Sequence, residues 1–250
     1  MNNNLTDSII LFADILGFTR MLENEKDSEN LFKVIKGMKE NNTSKSNIKH
    51  TVNSDVFSMT GMPTISSFSD CIVLSFPLTE IKPPFDIGNA VNALLGIVQQ
   101  LADSLIYEGY ILRGGMTRGE LYHQDGIVFG KALIEAYELE STKAKNPRIL
   151  VSNELAKEYN KHKFDKCNFL SRDNMNDTEE YYLDYLKLSF KHSDTKQRYQ
   201  QKTEKIICEK KKNILKKVNC GDLNHMAEDI KILEKWIYFQ KYIQLVASYS

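Results

Sequence analysis

The run Ser8-Ile9-Ile10-Leu11-Phe12-Ala13 constrains the fold most, because five of its six residues are apolar. A continuous apolar stretch this short matches a strand covered on both faces. It stops at Asp14, and Gly17 follows. From Phe18 the apolar positions change period, recurring at helical spacing through Met21, Leu22, Leu31, Val34, Ile35 and Met38. The chain therefore opens as strand, short turn and long helix. A strand of this kind is stable only inside a sheet, so the remaining residues must supply strands to pair with it and helices to cover it.

They do. Glu40 to His50 is polar and reads as a loop. Thr64 to Phe76 reads as two strands, with Asp70 at the tip of a hairpin. Pro83-Pro84 breaks the chain, and Asp86 is placed to cap a helix running through Ile87, Val91, Leu94, Leu95, Val98, Leu101, Leu105 and Ile106. Tyr110 to Tyr122 is a glycine-studded strand, and Ile127 to Phe129 is a short one. A helix follows from Lys131 to about Lys145, ended by Asn146-Pro147, and Arg148 to Ser152 is a further strand. Strands interleaved with crossover helices predict an α+β fold, a mixed sheet with helices on one face.

After residue 195 the composition shifts. Lys196 to Lys217 carries nine basic residues against two acidic, Gly221 stops a helix, and a second amphipathic helix runs from Asp222 to about Ser248. The expected division is a main domain over 1–190 and a helical extension over 191–250 that packs on the core or a dimer. The whole chain balances 33 basic against 33 acidic residues, which excludes a general electrostatic nucleic-acid binder and an acidic disordered chain. Tyr199 is the one ring inside the basic stretch, so a solvated helix face is expected there and no nucleic-acid partner. Four cysteines lie far apart without a C-x-x-C pair, giving neither a zinc site nor a disulfide framework. Met1 to Asp7 has no signal-peptide character, and the apolar stretches are broken well short of a membrane span. A cytoplasmic protein without membrane contact is the expectation.

Chemistry-bearing residues are few. Asp14, at a strand end beside a helix start, either caps the helix or serves a metal ion next to a phosphate. Asp70 alone is a turn aspartate. Together the two carboxylates are suited to holding two Mg²⁺ ions for displacement at phosphorus. The glycines of Arg113-Gly114-Gly115-Met116-Thr117-Arg118-Gly119 admit a triphosphate, a second backbone or merely a bulge. Arg113 and Arg118, five apart, point to opposite faces of a regular strand, so at most one of them serves a phosphate. The five histidines show no ligand spacing, and Cys71 reads as a buried strand residue.

Phe12-Ala13-Asp14-Ile15-Leu16-Gly17-Phe18-Thr19 resembles the opening motif of class III nucleotidyl cyclases, and Ser69-Asp70 resembles that family's second metal aspartate. Gly115 to Gly119 looks like its glycine strand, and Gly130 to Glu140 looks like the helix after it. Ile149 to Ser152 resembles the next strand, so the resemblance covers roughly residues 8 to 152 in order. It implies a ferredoxin-like βαββαβ core. It also implies that Asp14 and Asp70, with the Ile15 carbonyl, hold two Mg²⁺ or Mn²⁺ ions. Leu16, Gly17, Phe18 and Thr19 would cradle the β- and γ-phosphates. The product would be a 3′,5′-cyclic nucleotide, made by a homodimer with sites at the subunit interface.

The departures from that family fall on the base. Ser66 stands where its purine enzymes carry lysine or glutamate, and Ile127 where they carry aspartate, threonine or cysteine. Purine edges would go unpaired there. Ile134 and Glu138 stand where asparagine and arginine usually stabilise the transition state, leaving Arg113 or Arg118 as the candidate replacement. Leu112 to Glu140 is similar to the stand-alone pyrimidine cyclases of the bacterial Pycsar antiphage system. That resemblance implies a uridylate or cytidylate cyclase whose product activates a separate effector. The alternatives are a purine cyclase and a catalytically degenerate dimerisation or regulatory module.

Overall fold

Strand β1 (Thr6–Leu16) is the spine of a computed structural model that describes residues 5–18, 25–41, 48–52, 55–59, 63–81, 86–161, 169–172, 180–190 and 193–249. It pairs antiparallel with β5 (Cys71–Pro77) on one edge and β6 (Ile111–Gln124) on the other. Outward from these lie β4 (Thr64–Phe68) beside β5, and β8 (Ile149–Val151), β10 (Tyr181–Leu183) and β9 (Leu170–Arg172) beyond β6. β7 (Ile127–Phe129) folds back on the end of β6. Only the β6–β8 pair is parallel among these, so the sheet is mixed, as its alternation of strands and helices predicts. A separate two-stranded ribbon, β2 (Ile48–Val52) with β3 (Asp55–Met59), lies where a polar loop was expected to end.

Alternation along β1 sorts its side chains between two layers. Ile9, Leu11, Ala13 and Ile15 join the larger core, which the long helices cover. These are α1 (Glu25–Asn41) and α2 (Ile87–Glu108). Asp86 caps α2 by accepting hydrogen bonds from the Gly88 and Asn89 amides, while its own amide donates to Asn89 Oδ1. Left-handed Gly109 ends that helix. Its buried stripe of Val91, Leu94, Leu95, Val98, Leu101 and Leu105 is worth roughly 1.5–3 kcal/mol per side chain.

Ile10 and Phe12 face the other way and pack beneath α3 (Lys131–Glu138), with Val73 and Leu121. This short helix sits on the sheet face opposite α1 and α2. It lies unusually close, and Gly115 is the reason. A Cβ added at Gly115 would stand 2.3 Å from the Ala136 carbonyl oxygen and 2.6 Å from Leu139 Cβ. The glycine of this strand thus admits the chain's own helix rather than a ligand. α3 ends in a π-helical turn, Leu139–Lys143, before β8.

Beyond β8 come α4 (Asn153–Tyr159) and α5 (Tyr185–Ser189), neither expected from periodicity. Two long helices follow, α6 (Ser193–Asn219) and α7 (Met226–Tyr249), on either side of left-handed Gly221. They run antiparallel, since Lys217 pairs with Asp229 at one end and Lys196 donates to the Ala247 carbonyl at the other. Tyr199, Ile206 and Ile207 of α6 and Trp236, Phe239, Tyr242 and Ile243 of α7 belong to the same core as α2. Buried Asp184 caps α5 and accepts a 2.7 Å hydrogen bond from the Tyr242 hydroxyl. Arg148, also buried, lies between the rings of Tyr182 and Tyr238, 5.0 Å from each centroid. Among the described residues no helix is long and apolar enough to cross a membrane.

Candidate active site

Continuing the alternation of β1, Asp14 follows Ile10 and Phe12 onto the α3 face. Across the sheet it stands opposite Cys71 on β5 and Arg113 on β6. The β4–β5 connection is a two-residue turn, Ser69-Asp70, with Ser69 left-handed. The Ile15 amide donates to the Asp70 carbonyl at 3.0 Å and fixes this tip against the end of β1. Two carboxylates far apart in sequence therefore converge. One carboxylate oxygen each from Asp14 and Asp70, with the Cys71 thiol, fall within 4.8 Å of one another.

Charge around the pair is layered. Arg113 bridges Asp14, at 3.2 Å, and Glu140, which sits buried on the π-helical turn. Burial raises Asp14 to about 6; Arg113 opposes that rise, while Glu140 and Asp70 add to it. Glu140 is likewise raised by burial against the pull of Arg113. Cys71 is pushed up to about 12 by burial and by the neighbouring carboxylates, so it remains a thiol. On the far side, Lys235 of α7 donates to the Lys145 carbonyl, and burial together with Arg113 lowers its pKa.

These residues fit a divalent cation. The donors available are carboxylate oxygens, the thiol being protonated, and hard oxygen donors select Mg²⁺ or Mn²⁺ over softer metals. Burial first, and the neighbouring Glu140 and Asp70 after it, raise Asp14, and a cation beside the carboxylates would oppose that rise. Beside them the chain turns sharply: Gly17 is left-handed (φ 92°), with open space where a Cβ would stand. Leu16 closes β1 immediately before it. Thr19 lies outside the described residues.

Next to the carboxylates opens an apolar cavity of about 690 Å³. Phe12, Phe68, Val73, Leu133, Ile134 and Tyr137 form its walls, and Cys71 joins it to the carboxylate cluster. Tyr137 packs edge-on against Phe12, with ring centroids 5.5 Å apart. Ser66 lines this cavity; Ile127 itself is exposed, and its neighbours Gly126 and Val128 form the wall instead. Ile134 faces the cavity, and Glu138 lies exposed on the same helix.

The two arginines part company, as their spacing predicts. Arg113 enters the site. Arg118 stands opposite Ile9 on the other sheet face, held by Asp7 and Glu158, each at 2.6 Å, apart from Asp14 and Asp70. Sequence reasoning missed Glu140, yet a signal existed. Ala132, Ala136 and Glu140 share one helical stripe, and a carboxylate on an otherwise buried stripe asks for a cation.

No protein-family model matches the chain, and no curated protein matches it. Among solved structures it is similar to an adenylate/guanylate cyclase/hydrolase from Silicibacter pomeroyi, at 17% identity over 72% of this chain and 95% of that one, with a TM-score of 0.40. It is also similar to the catalytic core of a rhodopsin-guanylyl cyclase with converted specificity in complex with ATPαS (18% identity, 71% and 94% coverage, TM-score 0.43). A third is a bacterial light-regulated adenylyl cyclase (15% identity, 72% and 53% coverage, TM-score 0.40).

Proposed function

We propose that this chain is a nucleotidyl cyclase that converts a pyrimidine nucleoside triphosphate, UTP or CTP, to its 3′,5′-cyclic monophosphate and pyrophosphate. One observation carries the reading: Asp14 and Asp70 converge between a left-handed glycine turn and an apolar cavity of base-admitting size. Asp14 and Asp70, with the Ile15 carbonyl, are the proposed holders of two Mg²⁺ or Mn²⁺ ions. Such ions supply Lewis-acid activation of the ribose 3′-hydroxyl and neutralise charge on the leaving pyrophosphate.

The remaining work falls to the chain. Backbone N–H groups of Leu16, Gly17, Phe18 and Thr19 are the proposed holders of the β- and γ-phosphates. Arg113 holds Asp14 in place and limits its protonation, which keeps the carboxylate available. Phe12, Ile134 and Tyr137 give the base an apolar slot, while Ser66 and Ile127 stand where the family's purine enzymes carry their base-reading side chains. The exposed apolar side chains Phe68, Ile134 and Tyr137 line the cavity on the α3 side of the sheet and support a homodimer closing over this face. Residues 1–190 are the proposed catalytic part, braced by 191–250. The resemblance to Pycsar enzymes supports a second-messenger role in antiphage defence through a separate effector.

Incubating the protein with each of the four nucleoside triphosphates and Mn²⁺, and identifying cyclic products by mass spectrometry, tests the reading. Cyclic UMP or cyclic CMP as the main product supports it; cyclic AMP or cyclic GMP overturns the base assignment. A degenerate regulatory module is the second reading, favoured because Arg113 and Arg118 are both held by carboxylates while Ile134 and Glu138 replace the usual pair. No product from wild type or from Asp14→Ala would select it.

A further inference from the structure

His123 is buried at the end of β6, directly behind the cavity wall, and belongs to none of the groups described above. Its ring lies between two serines: Nδ1 is 2.8 Å from Ser75 Oγ, and Nε2 is 2.8 Å from Ser66 Oγ. Ser66 lines the cavity, whereas Ser75 and His123 do not. Burial lowers His123 to about 4, so the imidazole is neutral near neutral pH.

A neutral imidazole has one N–H donor and one bare nitrogen, so the two serines cannot play the same part. Ser75 decides between the arrangements. It is 2% exposed, and His123 is its hydrogen-bond partner among the described residues. If Nδ1 carried the proton, Ser75 would accept from it, and the Ser75 hydroxyl proton would be buried without an acceptor, a cost of about 1–3 kcal/mol. With the proton on Nε2, Ser75 donates to Nδ1 and nothing is stranded. Nε2–H then donates to Ser66 Oγ, whose own hydroxyl proton is left to point into the cavity.

We propose that the Ser75–His123–Ser66 relay makes Ser66 a hydrogen-bond donor toward the nucleobase, so that the cavity selects a carbonyl edge and the preferred substrate is UTP over CTP. The inference rests on the cyclase reading and sharpens its substrate. Uracil offers two carbonyl oxygens; cytosine replaces one of them with an amino group, which would meet the Ser66 proton head-on. His123 and Ser75 act through Ser66 and are positioning residues.

Two measurements test it. Long-range ¹H–¹⁵N correlation spectra of ¹⁵N-histidine-labelled protein, with His123 assigned by its loss in His123→Gln, report the tautomer without any need for turnover. An Nε2–H ring is expected, and an Nδ1–H ring overturns the relay. Kinetics with UTP and CTP supply the second readout. Wild type is expected to favour UTP in kcat/KM, and the UTP/CTP ratio is expected to fall about 2–10-fold in Ser66→Ala and in Ser75→Ala, the scale of one lost hydrogen bond. Ser75→Thr, which keeps the hydroxyl, should restore the ratio. An equal loss for both substrates would mark a merely structural role and overturn the proposal. An Nε2–H ring in a protein that cyclises no pyrimidine triphosphate would discard the substrate reading and leave the relay standing.

Discussion

Arg113 faces Asp14 across the β1–β6 pair, its guanidinium 3.2 Å from the carboxylate and also bound to buried Glu140. One cation thus serves two carboxylates whose ionisation burial opposes. Arg113→Met should strand both, costing about 3–5 kcal/mol, the usual penalty for removing one partner of a buried pair. Adding Glu140→Gln should recover part of the loss, a coupling that urea denaturation of the two single variants and the double variant would measure. Additive single losses would show that the bridge is not coupled.

Metal binding gives a second expectation. Mn²⁺ in excess should raise the thermal midpoint of the wild-type protein, by about 2.7 kcal/mol of added stability at one hundred times its Kd. Asp14→Ala and Asp70→Ala should each abolish the shift, and chelation should reverse it. Differential scanning fluorimetry is enough. A shift that survives both substitutions would place the ion elsewhere.

Gly115→Ala should loosen the α3 layer. The new methyl would stand 2.3 Å from the Ala136 carbonyl, which belongs to backbone and cannot swing aside. Gly119→Ala meets only Ala132 Cβ, at 3.3 Å. We expect a loss of about 2–3 kcal/mol for the first and under about 1 kcal/mol for the second, read from denaturant midpoints.

Acid stability should reveal two groups that oppose one another. His123 falls from 6.5 to about 4 on folding, so its contribution is complete above pH 6.5 and lost as the pH drops toward 4. Asp14 rises from 3.8 to about 6, so its contribution is complete below 3.8 and lost as the pH climbs through 6. Each is worth up to about 3 kcal/mol, and Glu140 and Asp184, also raised by burial, act in the direction of Asp14. Compared with wild type, His123→Gln should therefore gain more stability on acidification from about pH 6.5 to about pH 4.5, and Asp14→Asn should gain less. Urea midpoints at both pH values provide the check.

The sheet was readable because β1, β5 and α2 carry unbroken apolar patterns, and the carboxylates because each ends such a pattern. Asp70 at a hairpin tip and Asp86 as a helix cap follow from turn and capping chemistry alone. What escaped was held by partners distant in sequence. β2 and β3 are five residues each, and among the described residues they pair with each other alone. Glu140 makes sense only beside Arg113, and His123 only between Ser66 and Ser75, residues 57 and 48 positions away. Gly115 announced a close approach without saying whose, and the answer lay in α3 of the same chain.

The bond from Tyr242 to Asp184 has a consequence for the order in which the molecule comes into being. Asp184 sits in the floor beneath the sheet, but its carboxylate waits for a hydroxyl 58 residues downstream. A ribosome that has released β1, the Asp70 hairpin and α3 has already delivered every carboxylate of the site, on a scaffold whose floor is still open. Only when Phe239, Tyr242 and Ile243 emerge does the core close beneath them. Closure of the core is therefore tied to a late event in synthesis, and a nascent chain stalled before Tyr242 would hold its carboxylates on an unfinished fold.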